Sequence, residues 1–184
     1  EYLYGICIDN YDVVVDTIRK NQFISNIMLK QDIDYNTITH IEKKHRKVFD
    51  IRTIKPGQKH TFLISRDSIP TPTFWIYEIN KIDYAVFSLT DSLTAWIGHK
   101  EVETKVEYIE GVIESSLWNA MKAAGGDQNI TMELSEIYAW TVDFFGIQQG
   151  DSFTVIYDEK FVNGTSVGIG MIWGAVFNHN NKQY

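Results

Sequence analysis

Residues 111–177 read GVIESSLWNAMKAAGGDQNITMELSEIYAWTVDFFGIQQGDSFTVIYDEKFVNGTSVGIGMIWGAVF, and this stretch decides the fold. Leu117, Ala120, Met121 and Ala124 recur at helical spacing and Gly125-Gly126 stop them, so the pattern predicts a short amphipathic helix. A second helix comes next, with Thr131 as its cap and Leu134, Ile137, Tyr138 and Thr141 on one face before Phe144 and Phe145. Gly150-Asp151 then turns the chain into a strand in which Phe153, Val155 and Tyr157 alternate with Ser152, Thr154 and Ile156. Asn163-Gly164 separates that strand from the apolar run 167–177. A tight type I′ turn needs positive φ at both central residues, which Asn and Gly tolerate, so the two strands form a hairpin. Two short helices laid against a hairpin, with a further strand partner to be found, make an α+β arrangement.

Outward from this stretch, composition sets the bounds. With 184 residues, 44% hydrophobic and 14% aromatic, the chain can bury a core of one ordinary domain or two small ones. The net charge of −7 argues against a nucleic-acid partner, but the charge is unevenly spread. Residues 1–66 carry eleven Lys/Arg against eight Asp/Glu, and residues 67–184 six against sixteen. Two modules with different partners would explain that asymmetry, although a basic patch on one small module is more often solvated surface than a binding face. The single Cys7 excludes an internal disulfide, and inside the apolar run YGICI it reads as a buried small hydrophobe. No run approaches the roughly 18 apolar residues of a membrane span, and the chain reads either as cytosolic or as one from which a leader has been removed.

Residues 2–8 read as a strand turned by Asp9-Asn10, and Val13, Val14, Val15 and Ile18 as a second. A polar break at residues 19–22 precedes a helix whose buried face is Phe23, Ile24, Ile27 and Met28. Asp34 caps the next helix, with Thr37, Ile38, Ile41 and His45 inward and Glu42, Lys43, Lys44, Arg46 and Lys47 toward water. Pro56-Gly57 is a turn, and residues 61–65 form a returning strand. The prolines of SIPTPT, residues 68–73, stiffen the chain and suggest a linker. Beyond it, 74–79 and 82–89 flank Asn80-Lys81 as one hairpin, and 93–99 with 102–109 form another around residues 98–101. The expected organisation is therefore a small β-α-α-β domain at 1–66, a linker at 67–73, and a strand-rich α+β domain with two short helices at 74–184. The closing Gln183-Tyr184 reads as the opening of a strand, so the second domain is expected to be truncated there.

On the polar break and helix at 19–27 and the exit turn Ile54-Lys55-Pro56-Gly57-Gln58, residues 13–65 resemble a LysM-like domain. Its entry is divergent, with Asn21-Gln22-Phe23 in place of the usual small residues. The order of the motifs in the second half of the chain extends the resemblance. Ile113, Ser116, Leu117, Asp143, Phe144, Gly150, Asp151, Phe153, Gly170, Ile172, Ala175 and Phe177 are similar to the non-catalytic front half of bacterial envelope zinc metallopeptidases of the LytM (lysostaphin-like) type. The resemblance implies a regulatory, autoinhibitory and peptidoglycan-facing portion of a murein endopeptidase, on the periplasmic side of the envelope, after removal of a signal peptide or behind an N-terminal anchor. It implies as partners the catalytic domain of the same polypeptide, peptidoglycan and an envelope activator protein, with no nucleic acid. The LysM-like unit would offer a glycan groove formed by Lys20, Asn21, Gln22 and Phe23 opposite Phe49 and Asp50.

The family's zinc site needs a His followed four residues on by Asp, and a later His-x-His, because Zn²⁺ takes imidazole and carboxylate ligands in near-tetrahedral geometry. Four residues after His40, His45, His60, His99 and His179 stand Lys44, Phe49, Ile64, Glu103 and Gln183. His40 and His45 lie roughly 140° apart around a helix. No cofactor is expected in this chain, and zinc is expected in the catalytic domain of the parent. Ser115-Ser116 lacks a Gly-x-Ser-x-Gly elbow and the glycines at 168, 170 and 174 sit in a strand pattern, so neither catalytic nor metal residues are expected. The acid pairs Glu101/Glu103 and Asp158/Glu159 read as solvated turns, and the five tryptophans as core, with sugar stacking open to any that are exposed. Two other readings stay open: a stand-alone LysM-like peptidoglycan-binding module, and a protein-interaction scaffold using the acidic second domain.

Overall fold

The computed structural model describes residues 1–90, 92–144 and 146–184. The chain divides into two compact units, Glu1–Glu101 and Val102–Tyr184, and both combine strands with helices, as an α+β fold requires.

In the first unit, β1 (Tyr2–Leu3) and β2 (Ile6–Cys7) form a small hairpin, followed by β3 (Tyr11–Thr17), α1 (Ile24–Leu29), α2 (Tyr35–His45), a 3-10 turn (Ile51–Thr53), β4 (Lys59–Ser65), β5 (Pro72–Glu78), β6 (Asp83–Ser88) and β7 (Ala95–His99). The last five strands named make one antiparallel sheet in the order β3-β4-β5-β6-β7. Asp34 caps α2 through its carboxylate, which accepts from the Asn36 and Thr37 N–H groups at 2.7 and 3.0 Å; short acceptors of this kind satisfy donors that have no intrahelical partner. Gly57 holds φ +89°, and its N–H donates to the Ile18 carbonyl at 2.9 Å, which ties the Pro56-Gly57 turn to the end of β3. One sheet face buries Phe62, Trp75, Tyr77 and Phe87 against Ile27, Met28, Ile38 and Ile41 of the helices. The other buries Leu63, Ile76, Tyr84 and Val86 beneath Tyr4, Ile6 and Ile8. Central strands covered on both faces cannot alternate, which is why β5 and β6 read as unbroken apolar runs.

In the second unit, β8 (Glu103–Val112), α3 (Leu117–Ala123), α4 (Gln128–Ile137), β9 (Ser152–Val162), β10 (Thr165–His179) and β11 (Lys182–Gln183) form a sheet in the order β11-β10-β9-β8, with both helices packed on one face. Asn163 and Gly164 adopt φ of +50° and +74° in the hairpin turn between β9 and β10, as the sequence predicts. The missing strand partner is β8, which pairs with β9 from Glu103↔Phe161 to Val112↔Ser152.

Several expectations are corrected. The division falls after Glu101 and not at 67–73, because β5, β6 and β7 complete the sheet that β3 and β4 begin. The SIPTPT segment is the β4–β5 connection, with Ser65 N–H bonded to the Thr71 carbonyl at 2.9 Å. The hairpin expected between 93–99 and 102–109 does not form: β7 pairs with β6, and β8 with β9. Asp127, not Thr131, caps α4, and Ile137 on that helix is exposed. Cys7 is exposed, its thiol directed at the Asp9 carboxylate. Phe145 lies outside the described residues.

Candidate functional site

The residues expected to form a glycan groove have different employments. Between β3 and α1, Asn21 adopts φ +61°, the left-handed region that Asn tolerates. The Gln22 side-chain oxygen accepts from the Arg19 N–H at 2.8 Å. Phe23 occupies the N-cap of α1 and is 68% exposed, and Lys20 nearby in the chain is exposed too. This loop therefore presents a basic, a polar and an aromatic side chain to solvent.

Phe49 and Asp50 lie between α2 and the 3-10 turn, and each is engaged with other partners. The Phe49 ring packs on the first core, 5.0 Å from the Tyr77 ring. The Asp50 carboxylate accepts from Arg52 Nη2 at 2.6 Å and Nε at 2.9 Å, and lies 3.3 Å from Arg46 Nε. The Arg52 guanidinium holds the Asp50 carboxyl well below the usual carboxylate range. Of the six residues, the 20–23 loop is a free surface, while Phe49 and Asp50 serve the core and an ion cluster.

Beside Gln22 a recess of about 60 Å³ is lined by Val14, Asp16, Ile27, Lys30, Gln31, His60 and Phe62. His60 is buried; its Nδ1 accepts from Trp75 Nε1 at 3.4 Å and its Nε2 has no protein partner. Burial pushes the His60 imidazole down from its ordinary value. A recess of this size has room for a water that would satisfy Nε2.

The second unit contains a buried His–Asp pair that the sequence reading did not single out. His179 Nδ1 donates to Asp151 Oδ2 at 2.7 Å, the Gln148 N–H donates to the same oxygen at 2.8 Å, and Asn180 Nδ2 donates to His179 Nε2 at 2.9 Å. Burial pushes the Asp151 carboxyl up, but the Gln148 N–H and the His179 ring outweigh it, leaving the group below its ordinary value. With both ring nitrogens in hydrogen bonds, to Asp151 and Asn180, neither nitrogen of His179 is spare for proton transfer. The arrangement clamps the start of β9 to the end of β10. Strict counting from the Asn163-Gly164 turn would set Val176 opposite Asp151, whereas three register shifts in the hairpin bring His179 there.

Among the described residues no three His, Cys, Asp or Glu side chains gather as a metal ion requires, and His179 carries its two hydrogen bonds already. These residues do not fit a zinc site. No helix among the described residues is long and apolar enough to cross a membrane. The tryptophans also depart from expectation: Trp75 is fully buried, but Trp96, Trp118, Trp140 and Trp173 are exposed, Trp140 at 98%.

No protein-family model matches the chain. Over 176 residues it is 28% identical to the peptidoglycan DD-endopeptidase ShyC of Vibrio cholerae, an alignment that takes in 95% of this chain and 33% of ShyC. The chain thus spans about a third of that relative's length. Its fold is similar to part of a zinc-containing peptidase from Vibrio cholerae, with a TM-score of 0.69 and 13% identity over 92% of this chain and 52% of that one. Csd3 of Helicobacter pylori is similar too, at a TM-score of 0.56 and 15% identity over 94% of this chain and 46% of the other. The chain is accordingly related in sequence to a cell-wall peptidase.

Proposed function

We propose that this chain is the non-catalytic, wall-facing front portion of a zinc endopeptidase that cleaves peptidoglycan, and that it restrains the catalytic domain of the same polypeptide. The observation that carries the proposal is the alignment of almost the whole chain with one third of a peptidoglycan endopeptidase. Supporting it, a structure of similar fold, of which the chain covers 52%, is a zinc-containing peptidase, so zinc and the chemistry are assigned to the remainder of the parent. The substrate in that relative's name supports an envelope placement, and the proposal puts the chain on the periplasmic side.

Tethering makes such restraint feasible with a weak interface, because a linked domain meets its partner at an effective concentration of about a millimolar. A closed state favoured by about 2.7 kcal/mol leaves roughly one per cent of molecules open. Opening would follow an envelope activator, glycan strands or proteolysis. The LysM-like glycan groove enters this reading through the exposed loop Lys20-Asn21-Gln22-Phe23; Phe49 and Asp50 are the weaker part, since both have other partners.

The test is inhibition in trans: the separately produced zinc domain of the parent digests purified sacculi with and without the 184-residue chain. Slower digestion that saturates with added chain is expected. Unchanged digestion at high concentration, or a parent without a zinc domain, overturns the proposal.

A further inference from the structure

The face of the β8–β9–β10 sheet turned away from α3 and α4 is an aromatic platform. Pairing sets Tyr108 opposite Ile156 and Ile156 opposite Gly174, with Val106 opposite Asp158 and Glu110 opposite Thr154 in flanking rows. Trp173, next to Gly174, is 61% exposed and Tyr108 58%. Two strand spacings separate the Tyr108 and Gly174 positions, roughly 10 Å. Two carboxylates stand beside the rings: the Trp173 indole N–H donates to Asp158 Oδ1 at 2.7 Å, and the Tyr108 hydroxyl donates to Glu110 Oε2 at 2.5 Å. Gly170 makes the first pair possible, since a Cβ there would lie 2.9 Å from the Asp158 Cβ. At Gly174 a Cβ would meet nothing within 4 Å, so the floor beside the indole is bare.

We propose that this platform binds a neutral glycan chain, with sugar rings stacked on Trp173 and Tyr108 and their hydroxyl or amide N–H groups donating to Asp158 and Glu110. The chemistry selects that occupant over others. An apolar protein surface laid here would strip water from two carboxylates, a cost offset only by cations of its own or by Lys160, whose Cε lies near Gly170 beside Asp158. A nucleic acid is repelled, because the unit carries four lysines against eleven Asp/Glu. A sugar chain offers flat C–H faces to the rings, many donors to the carboxylates, and no charge; its span over two adjacent residues suits the separation of the two aromatics. Carboxylates whose geometry is already set by the ring donors keep lone pairs free for such donors. The ligand class accords with the wall-facing reading above, and the site is separate from the 20–23 loop of the first unit.

The test titrates the 184-residue chain with a tetramer of N-acetylglucosamine, following the tryptophan indole N–H signals by NMR. Saturable shifts of the Trp173 signal are expected at a Kd of about 0.1–1 mM. Trp173→Ala should weaken binding at least ten-fold, and Gly170→Ala, which displaces Asp158 without removing a ring, several-fold. Trp118→Ala should leave it unchanged. Circular dichroism checks that each variant is folded. Absence of saturation up to about 10 mM, equal loss in Trp118→Ala, or dimerisation of the chain through Trp173 overturns the proposal. Binding that is lost in Phe23→Ala and kept in Trp173→Ala overturns it too, while leaving the wall-facing reading intact.

Discussion

At the scale of single residues, two buried histidines make opposite demands on their surroundings. His179 is fully hydrogen-bonded, so His179→Ala should remove a donor from a buried carboxylate and cost about 1–3 kcal/mol, read as a lower thermal midpoint. Asp151 has a folded pKa below its unfolded one, so its contribution is present above the ordinary carboxylate value and is lost as pH falls through the folded value. Urea midpoints measured from roughly pH 7 to pH 3 should therefore fall less steeply in Asp151→Asn than in the native chain. His60 is depressed by burial: between its folded and unfolded pKa values the unfolded chain binds the extra proton, so stability drops as pH falls below about 6.5. An NMR titration should place the His60 midpoint below that value; a midpoint at or above it contradicts the burial. None of this is legible in the residues. The Asp151–His179 pair depends on three register shifts that no local pattern announces, and the exposure of Trp173 depends on which face of a bulged strand it takes. The loop 20–23 can be read, because a polar break ahead of a helix is a local signal.

Elements are more legible where their ends carry their own chemistry. Asp34 and Ser116 cap α2 and α3 with side chains two or three residues from the N–H groups they satisfy, and Asn163-Gly164 supplies the left-handed backbone of its hairpin. The failed hairpin between β7 and β8 shows the converse. Residues 98–101 look like a turn, yet β8 finds its partner some forty residues later in β9, and a non-local pairing leaves no trace at the strand itself. The glycine in β7 provides a test of the packing that results. A Cβ on Gly98 would lie 2.4 Å from the Tyr84 ring, so Gly98→Ala should destabilise by about 1–3 kcal/mol through overpacking. Gly174→Ala, on a strand with open space above it, should change stability by less than about 0.5 kcal/mol. Equal chemical-denaturation midpoints for the two variants would contradict this difference.

For the whole molecule, the charge asymmetry and the proline-rich segment suggest two modules, and two units exist, but the boundary lies elsewhere. Proline at residues 70 and 72 marks a strand connection as readily as a linker, because either can forgo a backbone donor. The core of the first unit draws Trp75, Tyr77 and Phe87 from beyond the segment. A fragment 1–101 should therefore fold cooperatively, whereas 1–66 should remain largely unfolded, lacking the strand that covers β4; well-dispersed amide spectra from both would contradict the division. The restraint of a catalytic partner is the claim on which the functional account turns. Its most direct measurement compares dye release from labelled sacculi by the intact parent and by its zinc domain alone, at equal concentration and zinc loading. The account predicts that the intact protein releases dye about a hundred-fold more slowly and recovers the faster rate when the chain is cleaved away. An intact parent as fast as its isolated zinc domain would contradict it.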